Sequence, residues 1–209
     1  MTFDNVSAWT TGGSSFAQSF AVTGPNPIFL MIVQTNTGED TRVQTPTYNG
    51  VAVTEVGRLA NTPDNQQAYI AYLLMAPATG TNTIAVTYSP ALSVYGNIVV
   101  VSYRGASQVN QPDSYGQFNQ NSGPIAVTAT TTVVNSNCWL VGFATDGITG
   151  AGAGTTHRGG AGTTYAGDSN GTVPTGSQSL QWSTTGITAN AAIVIAIKGI
   201  SSGGLFALI

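Results

Sequence analysis

The chain reads as an all-β protein: two antiparallel sheets stacked as a sandwich of about ten strands. Three observations lead there. Charged residues make up only 6% of the 209 positions, against about 25% in soluble domains, so helices with solvated Glu, Lys and Arg faces are disfavoured. The polar share is instead Thr, Ser, Asn and Gln together with 26 Gly, a mix that suits strands with hydroxyls facing outward and turns of Gly and Asn. Apolar residues recur in period-two alternation or in short continuous runs, the two patterns of half-buried and fully buried strands.

Taken in order, Ser15 to Val22 alternates, with Phe16, Phe20 and Val22 on one face. The continuous run Ile28 to Val33 is short enough to be a strand covered on both sides. Val43–Tyr48 and Val51–Leu59 flank Asn49-Gly50, the dipeptide best suited to the two positive φ angles of a tight hairpin. Ala68–Met75 reads as a buried strand rather than a helix, because it is β-branched and aromatic and has no charged face. It is closed by the turn Ala76-Pro77-Ala78-Thr79-Gly80-Thr81. Thr83–Tyr88, Asn97–Tyr103, Ile125–Val133, Cys138–Ala144, a short strand at Leu180 and Trp182, and Ala191–Ile197 complete the set. Gln108–Gly123 and Gly147–Gly176 read as long loops, the second with a weak strand around Thr155–Tyr165. Trp9, Trp139 and Trp182 lie in apolar patterns and are expected in the core. Residues 1–198 form one domain. Residues 199–209 are a Gly/Ser linker ending in an apolar tail with Leu205, Phe206, Leu208 and Ile209, and a greasy tail needs a place to pack, in its own domain or in a neighbour.

The five basic residues, Arg42, Arg58, Arg104, Arg158 and Lys198, are spread singly and the net charge is −3. No basic cluster exists to neutralise phosphates, which argues against a nucleic-acid partner. No apolar run approaches the ~20 residues that span a bilayer as a helix, and the first residues lack the basic-then-apolar pattern of a secretion signal. Cys138, the single cysteine, precedes Trp139-Leu140-Val141 and reads as a small buried hydrophobe.

Three segments carry a resemblance. Thr47 to Val56 (TYNGVAVTEV), Tyr69 to Thr81 (YIAYLLMAPATGT) and Ile98 to Gly105 (IVVVSYRG) resemble stretches of the jelly-roll, lectin-like sandwich domains of phage structural proteins and of bacterial secreted or surface proteins. The resemblance covers residues 43–108 well and the remainder by pattern only. It implies a jelly-roll sandwich that presents a surface or contacts glycans, and it carries no shared catalytic set.

Candidate chemistry is sparse. His157, the lone histidine, lies in a Gly-rich stretch, and one His with one Cys is too few for a zinc site. Glu39-Asp40, Asp146 and Asp168 lack the alternation of a calcium loop. Glu55 sits in a strand and is expected to point outward. No metal and no cofactor are therefore expected. Tyr115, Phe118 and Tyr165 fall in the two long loops, where aromatic rings beside Asn and Gln suit stacking on sugars. These features lead to the expectation of a non-enzymatic structural or surface protein of a phage-like virion, made in the host cytoplasm: a capsid decoration, head-fibre or tail component that forms a homo-oligomer and meets other virion proteins. The alternative expectation is a carbohydrate-binding module of a bacterial surface or secreted protein.

Overall fold

A computed structural model of the chain describes residues 1–35, 43–59, 68–120, 126–145, 147–184 and 190–200. These residues form fifteen strands and no helix: β1 (Thr2–Val22), β2 (Ile28–Thr35), β3 (Thr47–Tyr48), β4 (Val51–Ala52), β5 (Thr54–Leu59), β6 (Ala68–Met75), β7 (Gly80–Arg104), β8 (Ser114–Gln120), β9 (Ala126–Val133), β10 (Cys138–Thr145), β11 (Ile148–Ala151), β12 (Thr156–Ala161), β13 (Thr164–Asp168), β14 (Gly176–Thr184) and β15 (Asn190–Lys198). All-β is correct; about ten strands in two hydrogen-bonded sheets is not. The described ladders form three sheets: one with the order β4-β3-β7-β2-β6-β5 and with β1 also on β7, one with the order β12-β13-β10-β15-β8, and one with the order β11-β14-β9.

The count departs from the sequence reading in three places, the first being Val51–Leu59, which splits into β4 and β5. Thr83–Tyr88 and Asn97–Tyr103 are one strand, because β1 pairs with β7 along almost its whole length. In that ladder Gly13 faces Leu92 and Ser15 faces Thr87, so residues 88–91 bulge out, and the bulge accommodates Pro90, which has no N–H for a ladder. Both long loops also contain strands, of which only the one around Thr155–Tyr165 was expected. Residues 114–120 form β8, and residues 148–168 form β11, β12 and β13. Their Gly, Asn and Gln residues show no apolar alternation; partner strands hold them through the backbone.

The bulge folds the β1–β7 ribbon back over its own sheet, so β2 is buried on both faces. Ile28, Leu30 and Ile32 join Val99, Val101, Val141, Phe143, Ile193 and Ile195 in one core between the first and second sheets. Phe29, Met31 and Val33, of opposite parity, join Phe16, Phe20, Tyr48, Val86 and Val100 in a second core inside the folded ribbon. A third lies between the second and third sheets, where Leu140, Val194 and Ala196 meet Val127, Ala129, Leu180 and Trp182. The continuous apolar runs of β2, β10 and β15 are thus middle layers with apolar cover on both sides. Each large side chain buried there contributes about 1.5–3 kcal/mol relative to exposure.

The hairpin at Asn49-Gly50 forms as expected: Asn49 has φ 51° and Gly50 has φ 74°, the two positive values of a type I′ turn. It joins strands of only two residues, since Val43 meets Tyr88 only in an isolated bridge. Trp139 and Trp182 are buried, while Trp9 is half-buried at the rim of the second core, 5.5 Å from Phe16. The apolar tail, Leu205, Phe206, Leu208 and Ile209, lies outside the described residues.

Candidate functional site

The three aromatic candidates do not converge. Tyr115 and Phe118 are three residues apart on β8, and odd spacing on a strand sends side chains to opposite faces. Tyr115 is 50% exposed, whereas Phe118 packs half-buried against the third core, as does Tyr165. Tyr165 also carries the ring of His157 at 5.5 Å, and His157 itself is exposed on β12. Tyr115 is the one candidate that faces a hollow.

That hollow is a groove of about 320 Å³ where the edges of the first and second sheets meet. Val56 of β5, Leu73 and Leu74 of β6, and Pro112 form its apolar walls, with Met75 and Tyr115 at its mouth. Gly57 lets Tyr115 lie down, since a Cβ there would stand 3.0 Å from the tyrosine ring. The polar groups around the groove are engaged with each other. Arg58 donates to Glu55 through Nε at 2.9 Å and through Nη2 at 2.6 Å. Gln111 donates to the carbonyls of Ser107 and Lys198 at 2.9 and 2.8 Å and accepts from the Lys198 N–H at 3.1 Å. Glu55 is exposed, as its strand position predicts.

Other chemistry-bearing residues serve the fold. Asp168 is fully buried. It accepts from Arg158 Nε and Nη2 at 2.7 and 2.9 Å, from the Tyr103 hydroxyl at 2.7 Å and from the Asn170 N–H at 2.9 Å. Burial first, and then the negative charge of Asp168, hold the Tyr103 hydroxyl well above its ordinary value, so it stays a protonated donor. Arg158 also lies over the Phe3 ring at 4.5 Å. With every lone pair engaged, this cluster pins β12 and β13 to β1 and β7. Sequence reasoning passed over it: Arg158 and Asp168 sit ten residues apart in a Gly-rich stretch, and only the turn from β12 to β13 brings them together.

Asp113 accepts from the Val134 N–H at 2.7 Å, from the Asn135 N–H at 3.3 Å and from the Asn135 side chain. Burial opposes its ionisation, but those donors and the Lys198 charge outweigh it and bring the carboxyl below its ordinary value. Asp4 likewise accepts from the Thr23 N–H and the Ser102 hydroxyl, each at 2.8 Å. Cys138 is buried, and burial first, then the charge of Asp113, push its thiol up to about 11; a thiol held protonated is a poor nucleophile. Glu39, Asp40, Asp64 and Asp146 lie outside the described residues. Among the described residues no three His, Cys, Asp or Glu side chains gather as a metal site would require, and no helix is long and apolar enough to cross a membrane.

No protein-family model matches the chain, and no curated protein matches it either.

Proposed function

We propose that the chain is a non-catalytic structural or surface protein of a phage-like virion, a capsid decoration, head-fibre or tail component that assembles through symmetric contacts. In this reading its stacked sheets are a sandwich of jelly-roll type, elaborated by the folded β1–β7 ribbon and by the third sheet. The observation that carries the proposal is where the charges go. Arg158 and Asp168 pair in the interior, Arg58 and Glu55 neutralise each other on the surface, and Asp4 and Asp113 are engaged by backbone and side-chain donors. Among the described residues, what faces outward is a skin of Thr, Ser, Asn, Gln and Gly with few charged groups, Arg104 and the Glu55–Arg58 pair among them. Such a skin puts up little long-range repulsion between copies and gives little colloidal protection to a solitary one, so it favours close-packed neighbours. Strand order supports the jelly-roll reading: β1 lies beside β7 and not beside β2, a long-range return of the Greek-key kind that recurs in capsid jelly rolls. Light scattering on the eluting peak at micromolar concentration tests the assembly: a defined multiple of the chain mass is expected, and a monomer contradicts it.

A second reading, a carbohydrate-binding module, is favoured by one observation: Tyr115 stands half exposed at the mouth of a groove with the Glu55 carboxylate beside it. On that reading Tyr115→Ala abolishes the signal on a glycan array while the thermal melt is unchanged, since the side chain is at the surface. An array on which the wild-type chain gives no signal removes the reading.

A further inference from the structure

Six large apolar side chains stand exposed among the described residues, and five of them gather at one end of the stacked sheets: Met75, Val109, Tyr115, Val134 and Ile200. The backbone bonds fix that clustering. Met75 closes β6 opposite Ile28, which in turn faces Tyr103 at the end of β7. The chain then runs through Ser107, whose N–H donates to the Lys198 carbonyl at 2.8 Å, and Asp113, whose N–H donates to the Ala196 carbonyl at 2.9 Å. Val109 lies in this turn, Tyr115 follows it, and Val134 is tied to it through Asp113. Ile200 donates to the Gly105 carbonyl at 2.9 Å and lines a second hollow, of about 260 Å³, with Met1, Pro25 and Arg104. One end of the molecule therefore carries these two hollows and, among the described residues, five of the six exposed large apolar side chains, gathered where an ordinary monomer surface scatters them singly.

The same end is the root of the apolar tail. Past Ile200 come Ser201-Ser202-Gly203-Gly204 and then Leu205-Phe206-Ala207-Leu208-Ile209; four extended residues reach at most about 14 Å. Resting on the assembly reading above, we infer that this end face is where a second copy of the chain docks, with Leu205–Ile209 of each copy seated in the groove between Met75 and Tyr115 of the other. Three observations select that occupant. The groove walls are apolar and the flanking polar groups are already engaged: the Gln111 amide by Ser107 and Lys198, the Arg58 guanidinium by Glu55. The walls of Val56, Leu73, Leu74 and Pro112 offer no hydrogen-bonding side chain, so an uncharged apolar segment fits them. Second, Val109, Val134 and Ile200 lie outside the groove lining, so a tail folded into its own groove leaves them bare, whereas a second molecule covers them. Third, root and seat share one face, so a two-fold axis lets both tails exchange at once and the contact closes as a dimer instead of propagating.

The test uses the full chain. A photo-crosslinking phenylalanine analogue replaces Phe206, and 15N-labelled and unlabelled chains are mixed before illumination. Cross-links joining labelled to unlabelled chains at peptides that carry Met75 or Tyr115 are expected; cross-links only within single chains, at other peptides, or none at all overturn the inference. In parallel, Val109→Lys with Val134→Lys weakens self-association at least about tenfold, with the melting temperature unchanged, while Ser14→Lys, at the ribbon bend, leaves the mass as in the wild type. Wild-type self-association that the paired Lys variant does not weaken defeats this face but leaves the assembly proposal standing; a monomeric wild type defeats both.

Discussion

Gly116→Ala destabilises the chain by more than about 3 kcal/mol, the upper range for forced overpacking, and separates β8 from β9. A Cβ at Gly116 would stand 1.8 Å from the carbonyl oxygen of Thr130, 2.8 Å from its carbon and 3.3 Å from the Thr131 Cα. All three are backbone atoms, so no rotamer change relieves the clash. β8 sits at the edge of the second sheet through its ladder with β15, and the Thr131 hydroxyl donates to Ser114 at 2.9 Å across the same joint. Pushing the strands apart breaks that bond and loosens Phe118 from the third core. Gly12→Ala is the matched control: a methyl group added at Gly12 would meet nothing within 4 Å, so this change is expected to be neutral or mildly stabilising, by up to about 1 kcal/mol. Urea unfolding of the two variants measures the difference. Equal midpoints would show that β8 and β9 are not in close backbone contact.

Arg158→Ala is expected to cost about 3–5 kcal/mol, the usual penalty for stranding one partner of a buried ion pair. Asp168 has no solvent exposure; without Arg158 it keeps only the Tyr103 hydroxyl and the Asn170 N–H, and a buried carboxylate with two neutral donors is poorly compensated. Lysine at 158 does not rescue it, because a point charge cannot repeat the forked contact. The double variant Arg158→Met with Asp168→Leu recovers most of the loss, since removing both charges also removes the desolvation penalty. Denaturant midpoints at constant slope read the effect. A single variant as stable as the wild type would mean that the pair is solvated and does not pin the two halves together.

Much of the fold was legible from residue order. β2, β6, β10 and β15 announce themselves as continuous apolar runs because they are covered on both faces, and β9 alternates because one of its faces meets solvent. Asn49-Gly50 marks its hairpin because few other residue pairs tolerate two positive φ values. β8 was illegible and β12 and β13 showed only as one weak strand around Thr155–Tyr165: these stretches are rich in Gly and polar residues, so their strand state depends on a neighbouring backbone more than on an apolar pattern of their own. The candidate site divides the same way. Tyr115 is visible as an aromatic residue in a polar stretch, but Val56, Leu73, Met75 and Pro112 look like ordinary core or turn residues until β5, β6 and β8 are brought edge to edge.

Residue order by itself determined that this chain is β-structured, that its middle strands are doubly covered, and that it carries few charged residues, since local periodicity and composition carry those properties. Only the tertiary structure decided that the β1–β7 ribbon folds back on itself, that Arg158 and Asp168 cancel inside, and that five scattered apolar residues share one end. The physical reason is distance along the chain: a period-two pattern is written in adjacent residues, whereas a pair or a patch exists only after strands remote in sequence have been placed side by side.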